Sequence, residues 1–345
     1  MVNPLYNHRE KRLRAFWRLL FQFALNAVGL VLAGGLALVL LTVSEETGLG
    51  GDSAETLAAS PASLAIGSMA TFVVTVGSMW LAGRFFDHRP FSGFGMQLDR
   101  SWWLDFCFGL ALGVLLMAGI FFMELAAGWI AVTGTFEVVD RSGSFALAIL
   151  VPLVTFVCVG FYEELMSRGY QLTNMAEGLN YPSLGPRGAI LLAWVLSSSL
   201  FGLLHLANPN ATITSSIIIA FAGLLLGAGY VLTGRLAIPI GLHITWNFFE
   251  GNVFGFPVSG IEPIGATFIS IEQGGPLLFT GGVFGPEDGL LGLAATIVGS
   301  LLIWLWVRAR SGKATLETSI AEPPIGRNKP TQENPPDTLA PGNGV

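Results

Sequence analysis

The sequence predicts an all-α, polytopic membrane protein with about eight transmembrane helices. Of its 345 residues, 52% are hydrophobic and only 12% are charged, which is about half the charged fraction of a typical soluble domain. The mean hydropathy is +0.64. Apolar runs of about 20 residues recur along the chain, and a helix needs that length to cross the hydrocarbon core.

Eight apolar runs account for most of the chain. In order, they cover residues 19–43, 61–82, 106–132, 144–162, 189–206, 213–232, 236–256 and 290–307. An even number of spans places the two termini on the same side of the membrane.

The basic residues predict which side that is. All of the 17 Lys and Arg residues except Arg141 lie in the leader, in the C-terminal segment or in the alternate connections that share their side. Because Lys and Arg accumulate in cytoplasmic loops, both termini are predicted to be cytoplasmic. We therefore expect a multi-pass protein of the plasma membrane.

Three regions of the chain differ in composition. Residues 1–18 form a basic cytoplasmic leader, residues 19–310 the transmembrane helical domain, and residues 311–345 a polar tail predicted to be cytoplasmic and disordered. The first apolar run is too long for a signal peptide and no A-x-A-like cleavage site follows closely, so it is predicted to be retained as an anchor. The segment 257–289 is rich in Gly and Pro, and we expect it to cover the non-cytoplasmic mouth of the bundle or to re-enter it.

The composition also argues against several kinds of partner. The basic residues are spread along one membrane face rather than gathered into a patch, which argues against nucleic-acid binding. Cys107 and Cys158 both lie within apolar runs, so neither a disulfide framework nor a cysteine metal site is expected. The partner that the hydropathy predicts is the lipid bilayer.

Two adjacent carboxylates follow the fourth apolar run. Glu164 and Arg168 are four residues apart, so on a helix they share a face and can form an ion pair. Glu163 points about 100° away from Glu164, and the same arginine cannot readily pair with both. We therefore expect Arg168 to hold Glu164 ionised, while Glu163 stays unpaired and is available as a general base. The competing interpretation is a cluster of charges at the membrane interface.

A histidine ends the fifth apolar run. His205 follows Phe201 by four residues and precedes Asn208 by three. Asn208 is therefore a candidate hydrogen-bond partner that would fix the tautomer of the imidazole. The competing interpretation is an interfacial histidine without a chemical role.

A second histidine lies deeper, in the seventh apolar run. His243 and Asn247 are seven and eleven residues past the start of that run and share a helical face. Two donors side by side could hold a developing oxyanion, the histidine could bind a metal, or the pair could tie helices together. Glu250 is interpreted as a rim residue, and Glu124 as a helix-packing or gating carboxylate.

The apolar runs alone place these groups too far apart. Glu163 lies at the cytoplasmic end of the fourth run and His205 at the outer end of the fifth, 16 residues after Ala189, which is about 24 Å of helix. Shared chemistry requires the fourth helix to extend to about Tyr170, or the fifth to start later than the hydropathy suggests. We expect both.

Taken in order, these motifs resemble those of a known family. Glu-Glu-x-x-x-Arg at 163–168, Phe-x-x-x-His at 201–205 with Asn208, and His-x-x-x-Asn at 243–247 are similar to the motifs of the CPBP family, also called the Abi family. It comprises intramembrane endopeptidases and includes the type II CAAX prenyl proteases. The resemblance covers roughly residues 151–255, which would be the catalytic core.

The resemblance implies a role for each of these residues. Glu163 would activate the attacking water with the assistance of His205, while His243 and Asn247 would stabilise the tetrahedral oxyanion. Glu164 and Arg168 would hold the helix and the charge balance. The remaining supporting positions are Phe201 and Asn208.

The resemblance further implies a glutamate-type peptidase without cofactor or metal, open to the cytoplasm and acting on a membrane-associated protein or peptide. The catalytic side chains should then line one cavity reached from the side of Arg168 and Arg235. Two Glu and two His could instead bind zinc, although the H-E-x-x-H signature is absent and Asn is a poor zinc ligand. The alternative from another class is a non-catalytic scaffold or a bacteriocin self-immunity protein, in which the same polar groups only tie helices together.

Overall fold

The computed structural model describes residues 3–47, 60–139 and 144–324. Within these ranges the main elements are β1 (Tyr6–Asn7), β2 (Arg12–Leu13), α1 (Ala15–Thr47), α2 (Pro61–Ala82), α3 (Arg100–Ala126), β3 (Ile130–Val138), α4 (Leu150–Glu164), α5 (Thr173–Leu179), α6 (Gly185–Leu204), α7 (Ile213–Thr233), α8 (Ala237–Phe248), β4 (Ala266–Gln273) and α9 (Leu290–Ser311). Turns of π-helix continue α2 (Gly83–Asp87), join α4 to α5 (Leu165–Leu172) and extend α8 (Phe249–Val253). Shorter helical turns cover Phe91–Phe94, Phe145–Ala148, His205–Ala207, Leu277–Thr280, Gly282–Phe284, Pro286–Asp288 and Thr318–Ala321. The predicted all-α, polytopic fold is confirmed.

Seven helical segments of the described chain are long and apolar enough to cross a membrane. They correspond to all of the predicted spans except residues 236–256. In that region α8 has only 12 residues and its π-helical extension has five. Most of α8 is buried among its neighbours, and a helix surrounded by protein does not have to meet the length that lipid imposes.

Glycines bring α3 very close to α8. A Cβ on Gly109 would lie 2.4 Å from the carbonyl oxygen of Ile238, and one on Gly113 would lie 2.7 Å from that of Leu242. A side chain at either position would collide with the backbone of α8, so only glycine permits this approach. The contact fixes α8, and with it His243, in the middle of the bundle.

The helix that carries the two adjacent carboxylates is much longer than its apolar run. It continues from Phe145 to Leu179, a length of 35 residues. The predicted extension past Glu163 is therefore confirmed and exceeded. The predicted late start of the next helix is wrong, because α6 already begins at Gly185. The extension of the helix that begins at Phe145 is enough by itself to place Glu163 in the middle of its span.

A two-stranded antiparallel sheet covers one end of the bundle. It pairs β3 with β4, from Ile130 opposite Gln273 to Val138 opposite Ala266. The third apolar run, 106–132, was predicted to remain helical to its end, but α3 stops at Ala126. Residues 130–138 contain β-branched Ile, Val and Thr residues, which favour a strand. The segment 257–289 supplies the partner strand at this end.

The opposite end of the bundle is held by a buried ion-pair network, named here the basic-face cluster: Arg12, Arg18, Asp87, Arg89 and Glu177. Glu177 accepts hydrogen bonds from Arg12 at 2.7 Å and from Arg18 at 2.9 Å, and it also pairs with Arg89. Arg18 also bonds Asp87 at 2.8 Å. The leader is thereby joined to the ends of α2 and α5.

The C-terminal segment packs at this same end. Ile320 and Ala321 are 4% and 0% exposed, and the Asn180 amide donates to the Ala321 carbonyl at 3.1 Å. Residues 312–324 therefore differ from the disordered tail that composition predicts from residue 311, because their apolar side chains find a surface to cover. The rest of the predicted tail lies outside the described residues. The two ends of the described chain share one face of the bundle, and the assignment of that face to the cytoplasm stays a prediction.

Candidate active site

A cavity of about 450 Å³ lies within the bundle, between α4, α6, α7 and α8. Its lining includes the four side chains predicted to carry chemistry: Glu163, His205, His243 and Asn247. Four groups that are up to 84 residues apart in the chain therefore face one space. Their predicted convergence is confirmed.

The two adjacent glutamates have different surroundings, as the helical geometry predicts. Glu164 is fully buried and its Oε1 accepts from Nη1 of Arg168 at 2.7 Å. Glu163 makes no ion pair with Arg168, retains 22% side-chain exposure, and its Oε2 has no hydrogen-bond partner. The predicted pairing of Glu164 with Arg168 is confirmed, and Glu163 is the carboxylate left free at the cavity wall.

Glu164 has a second partner that the sequence did not reveal. The same Oε1 accepts from Nδ1 of His243 at 2.8 Å. Since a carboxylate oxygen can only accept, Nδ1 carries the proton, and Nε2 is the nitrogen left for other contacts. That Nε2 lies 3.9 Å from Oε2 of Glu163. The imidazole therefore stands between the two glutamates, bonded to one and adjacent to the other.

Arg168 lies below the bonded pair of Glu164 and His243. It is 1% exposed, donates from Nη2 to the carbonyl of Gly223 at 3.0 Å, and places its guanidinium 4.4 Å from the centre of the Phe201 ring. An ion pair, a backbone bond and a cation–π contact fix the guanidinium from three directions. Phe201 thus has a structural role in holding Arg168.

His205 obtains its orientation from the helix that carries it. Its Nδ1 lies 2.8 Å from the carbonyl oxygen of Phe201, and because a carbonyl only accepts, Nδ1 must donate and Nε2 is the unprotonated nitrogen of the neutral ring. The prediction that Asn208 fixes this tautomer is wrong. The Asn208 amide instead donates to the carbonyl of Ser259 at 3.2 Å, because the helix ends at His205–Ala207 and turns Asn208 towards the segment 257–289.

Asn247 completes the cavity wall one helical turn beyond His243. It is 7% exposed, and its side chain forms no hydrogen bond to another of the described residues. A buried amide usually has a partner. The amide of Asn247 is therefore available to a group that enters the cavity.

The cavity opens on the side opposite to the one predicted. Leu64 at the start of α2, and Ile261 and Glu262 of the segment 257–289, are exposed residues of its lining. Arg235 does not line it, and Arg168 is buried below it. The prediction of access from the side of these two arginines is wrong, because the long α4–α5 helix places the sealed Glu164–Arg168 pair between the cavity and the basic face.

Sequence reasoning missed part of the cavity wall and misplaced one carboxylate. The segment 257–289 contributes Ser259, Glu262 and Glu287, and the hydroxyl of Ser259 donates to Glu287 at 2.5 Å. Glu250 is 0% exposed and is not the rim residue that its position in the run suggested. The Gly- and Pro-rich composition of the segment gave the only signal, and it did not indicate which side chains turn inward.

The described residues contain no group of three or more His, Cys, Asp or Glu side chains arranged to hold a metal ion. The nearest approach to a ligand set is His243 with the two glutamates. There, Nδ1 is occupied by Glu164, which is itself bonded to Arg168. A guanidinium at that position repels a cation, so the residues present do not fit a metal centre.

Together, these observations define a helical membrane protein with an unpaired glutamate, two oriented imidazoles and an amide without a partner among the described residues around one cavity within the bundle. Residues 143–249 match the family described as Type II CAAX prenyl endopeptidase Rce1-like. The match covers slightly less than a third of the chain and contains the motifs of α4, α6 and α8, so it confirms the predicted family resemblance. That family is a protease family. A search of curated proteins found no match, and a search of solved structures found none either.

Proposed function

We propose that this protein is an intramembrane endopeptidase in which Glu163 activates water to cleave a peptide bond of a membrane-associated protein or peptide. The observation that carries this proposal is the contrast between the two glutamates. Glu164 is held through Oε1 by Arg168 and His243, while Glu163 forms no hydrogen bond to another described residue and faces the cavity with Oε2 3.9 Å from the imidazole of His243. The family match supports the reaction class.

In the first step the carboxylate of Glu163 accepts a proton from a water molecule in the cavity. The oxygen of that water attacks the carbonyl carbon of the scissile bond, and the carbonyl oxygen becomes an oxyanion. The protonated Glu163 then returns the proton to the leaving amine as the C–N bond breaks. A general base of this kind contributes about 10²–10⁴ in rate.

Two donors on α8 are placed for the oxyanion. The side-chain amide of Asn247 is free, and Nε2 of His243 donates when the imidazole is protonated. Nδ1 of the same ring already donates to Glu164 at 2.8 Å, so a positive charge on the ring is balanced by that carboxylate. Removal of one oxyanion donor typically costs about 10²–10³ in kcat.

His205 lies on the α6 side of the same cavity. Because its Nδ1 donates to the carbonyl of Phe201, its Nε2 is an acceptor in the neutral ring. An acceptor there assists Glu163 by holding the second hydrogen of the attacking water. This role predicts a smaller loss on removal than that of the base.

Quantitative terminal proteomics tests the proposal even while the substrate is unidentified. Membranes of cells that express the wild type, Glu163→Gln or Glu272→Gln are compared for new protein termini. Glu272 lies on the exposed side of β4, so Glu272→Gln makes the same chemical change outside the cavity. We expect termini that are present with the wild type and with Glu272→Gln and absent with Glu163→Gln.

Two other results would favour a different function. Identical termini in all three samples would favour the scaffold or self-immunity interpretation, in which the polar groups only tie helices together. Termini that depend on Glu163 but disappear after treatment with a zinc chelator would favour a metal-dependent peptidase. We expect the chelator to leave them unchanged.

A further inference from the structure

A second cavity, of about 540 Å³, lies at one end of the bundle and shares no lining residue with the candidate active site. It is formed where α3 and α6 begin and where α7 and α9 end, and the segment that follows α9 closes it. Among the described residues, four cationic side chains line it, and it is named here the basic groove: Arg187, Arg235, Arg310 and Lys313. The proposed peptide hydrolysis uses none of them.

Two of the four cations are held in place by carboxylates. Arg235 donates from Nη2 to Asp99 at 2.8 Å. Arg310 pairs with Asp105 and donates from Nη2 to the hydroxyl of Ser101 at 2.8 Å. Both side chains nevertheless remain partly exposed, at 23% for Arg235 and 29% for Arg310. These two arginines are therefore fixed walls of the groove whose charge is largely balanced.

The other two cations have no direct counter-charge. Arg187 and Lys313 are exposed, and their side chains form no hydrogen bond or ion pair with any other described residue. The lining also contains Glu317, but its Oε1 accepts from the backbone N–H of Ser319 and pairs with neither cation. Arg187 in addition lies in the first turn of α6, where the helix dipole disfavours a positive charge. An anion in the groove would offset both costs.

The groove lies at the level of the lipid headgroups. Trp103, in the first turn of α3, and Trp304, near the end of α9, are both exposed, and exposed Trp rings in membrane proteins collect at the boundary between headgroups and acyl chains. Leu301 and Leu305 are also exposed on the outer face of α9. The groove therefore adjoins an apolar surface that acyl chains can cover.

We propose that the basic groove binds the phosphate of an anionic phospholipid, with Arg187 and Lys313 as its charged contacts. The guanidinium of Arg187 can donate two parallel hydrogen bonds to phosphate oxygens, and the ammonium of Lys313 acts as a point charge. The hydroxyl of Thr315, which forms no hydrogen bond to another described residue, supplies a further donor. Basic pockets between membrane helices characteristically take up such headgroups. This site does not depend on the proposed function.

A phosphate dissolved in the aqueous phase offers the same chemistry as the headgroup. The exposed face of α9 favours the lipid, because acyl chains that pack on Leu301 and Leu305 add apolar contacts that a free phosphate lacks. A zwitterionic phospholipid is disfavoured, since its ammonium group would lie among the four cations of the groove. The expected ligand therefore has a phosphate, a net negative charge and acyl chains.

Native mass spectrometry of the full-length protein in detergent tests this site without any assay of cleavage. Dioleoylphosphatidylglycerol and dioleoylphosphatidylcholine are titrated against the wild type and two double variants. Arg187→Gln with Lys313→Gln removes the two charges of the groove. Lys11→Gln with Arg100→Gln is the matched control, since it removes one exposed Lys and one exposed Arg outside the groove.

We expect the wild type and the control to bind phosphatidylglycerol about tenfold more tightly than phosphatidylcholine. The groove variant should lose most of this preference, and each of its two single substitutions should lose part of it. All variants should have the Tm of the wild type without lipid, because the four replaced side chains are exposed.

Three results would overturn the proposal. Equal losses in the two double variants would show that diffuse surface charge attracts the lipid, and no preference in the wild type would show that the groove does not select an anionic headgroup. The third arm adds inorganic phosphate to the lipid-bound wild type. Phosphate that binds as tightly as phosphatidylglycerol and displaces it would identify a dissolved phosphate, rather than a lipid, as the ligand.

Discussion

Two regions of this protein bury several charged side chains, and they differ in how fully those charges are paired. In the basic-face cluster, Glu177 accepts from three arginines, and Asp87 is bonded by Arg18 and by the hydroxyl of Tyr170 at 2.7 Å. Around the cavity, Oε2 of Glu163 has no hydrogen-bond partner, and the amide of Asn247 bonds no other side chain or backbone group of the described residues.

This difference distinguishes charged groups that stabilise the fold from groups that are available for chemistry. A buried charge that is fully paired is retained for the helices that it joins, because loss of either partner is costly. A buried polar group without a partner has no such reason to be kept, unless a ligand or a reacting group supplies the partner. In this protein Glu163 and Asn247 line the open cavity, whereas Glu177 and Asp87 of the basic-face cluster lie outside its lining.

The largest expected effect concerns the basic-face cluster. Glu177→Gln removes the carboxylate that three arginines share, and should reduce the free energy of unfolding by at least about 3–5 kcal/mol. Thermal unfolding in detergent measures this loss. Activity per folded molecule should be unchanged, because Glu177 lies outside the cavity lining. A Tm equal to that of the wild type would show that the cluster is solvated.

The next effect should appear in both stability and activity, because Arg168 stabilises the fold and lies beside the candidate active site. Arg168→Ala removes the cation that pairs with the buried carboxylate of Glu164, at a cost of about 3–5 kcal/mol, and Glu164 then holds the imidazole of His243 less firmly. We expect both a lower Tm and lower activity per folded molecule. Unchanged stability would contradict the division of roles between the two glutamates.

A smaller effect, confined to activity, is expected at Asn247. Asn247→Ala removes one oxyanion donor and should lower kcat by about 10²–10³. Because the amide bonds no other group among the described residues, the Tm should change little. Asn180→Ala is the matched control, since Asn180 lies outside the cavity lining and its amide donates to the backbone of Ala321. Similar losses of kcat in both variants would show that Asn247 acts through packing.

The smallest effect concerns an exposed pair on the basic face. Asp99 caps α3 by accepting from the backbone N–H of Trp102, and its hydrogen bonds to Arg235 lower its pKa to about 2. Asn caps a helix as well as Asp does, so Asp99→Asn isolates the charge. Its contribution to stability should be present above pH 4 and lost as the pH falls towards 2. Thermal scans across this range should show a small difference that disappears at acid pH.

Much of the fold and of the site could be predicted from the sequence, because hydropathy and helical spacing act locally. The spacing of Glu164 and Arg168 was enough to predict their pair, since four residues on a helix define a contact. The position of the 236–256 helix was also predictable, but not its short length, because the surrounding helices that relieve it of lipid contact come from distant parts of the chain.

The remaining features depend on long-range geometry. The bond between Glu164 and His243 joins residues 79 positions apart, and no local pattern encodes it. The side on which the cavity opens is determined by the continuation of α4 through the polar residues 163–179. The hydropathy pattern had excluded these residues from the span. The strands β3 and β4 could not be predicted, because β3 adjoins an apolar run and β4 lies in a Gly-rich segment.

The most direct test is a comparison of the purified wild type with Glu163→Gln, on a peptide that contains a cleavage site found by terminal proteomics. The rate of cleavage and the Tm are measured on the same preparations. If the unpartnered carboxylate is the base, the rate should fall by about 10²–10⁴ while the Tm stays the same or rises slightly. A rate within a few-fold of the wild type would show that Glu163 is not the base, and that the difference between the two buried regions has no catalytic meaning.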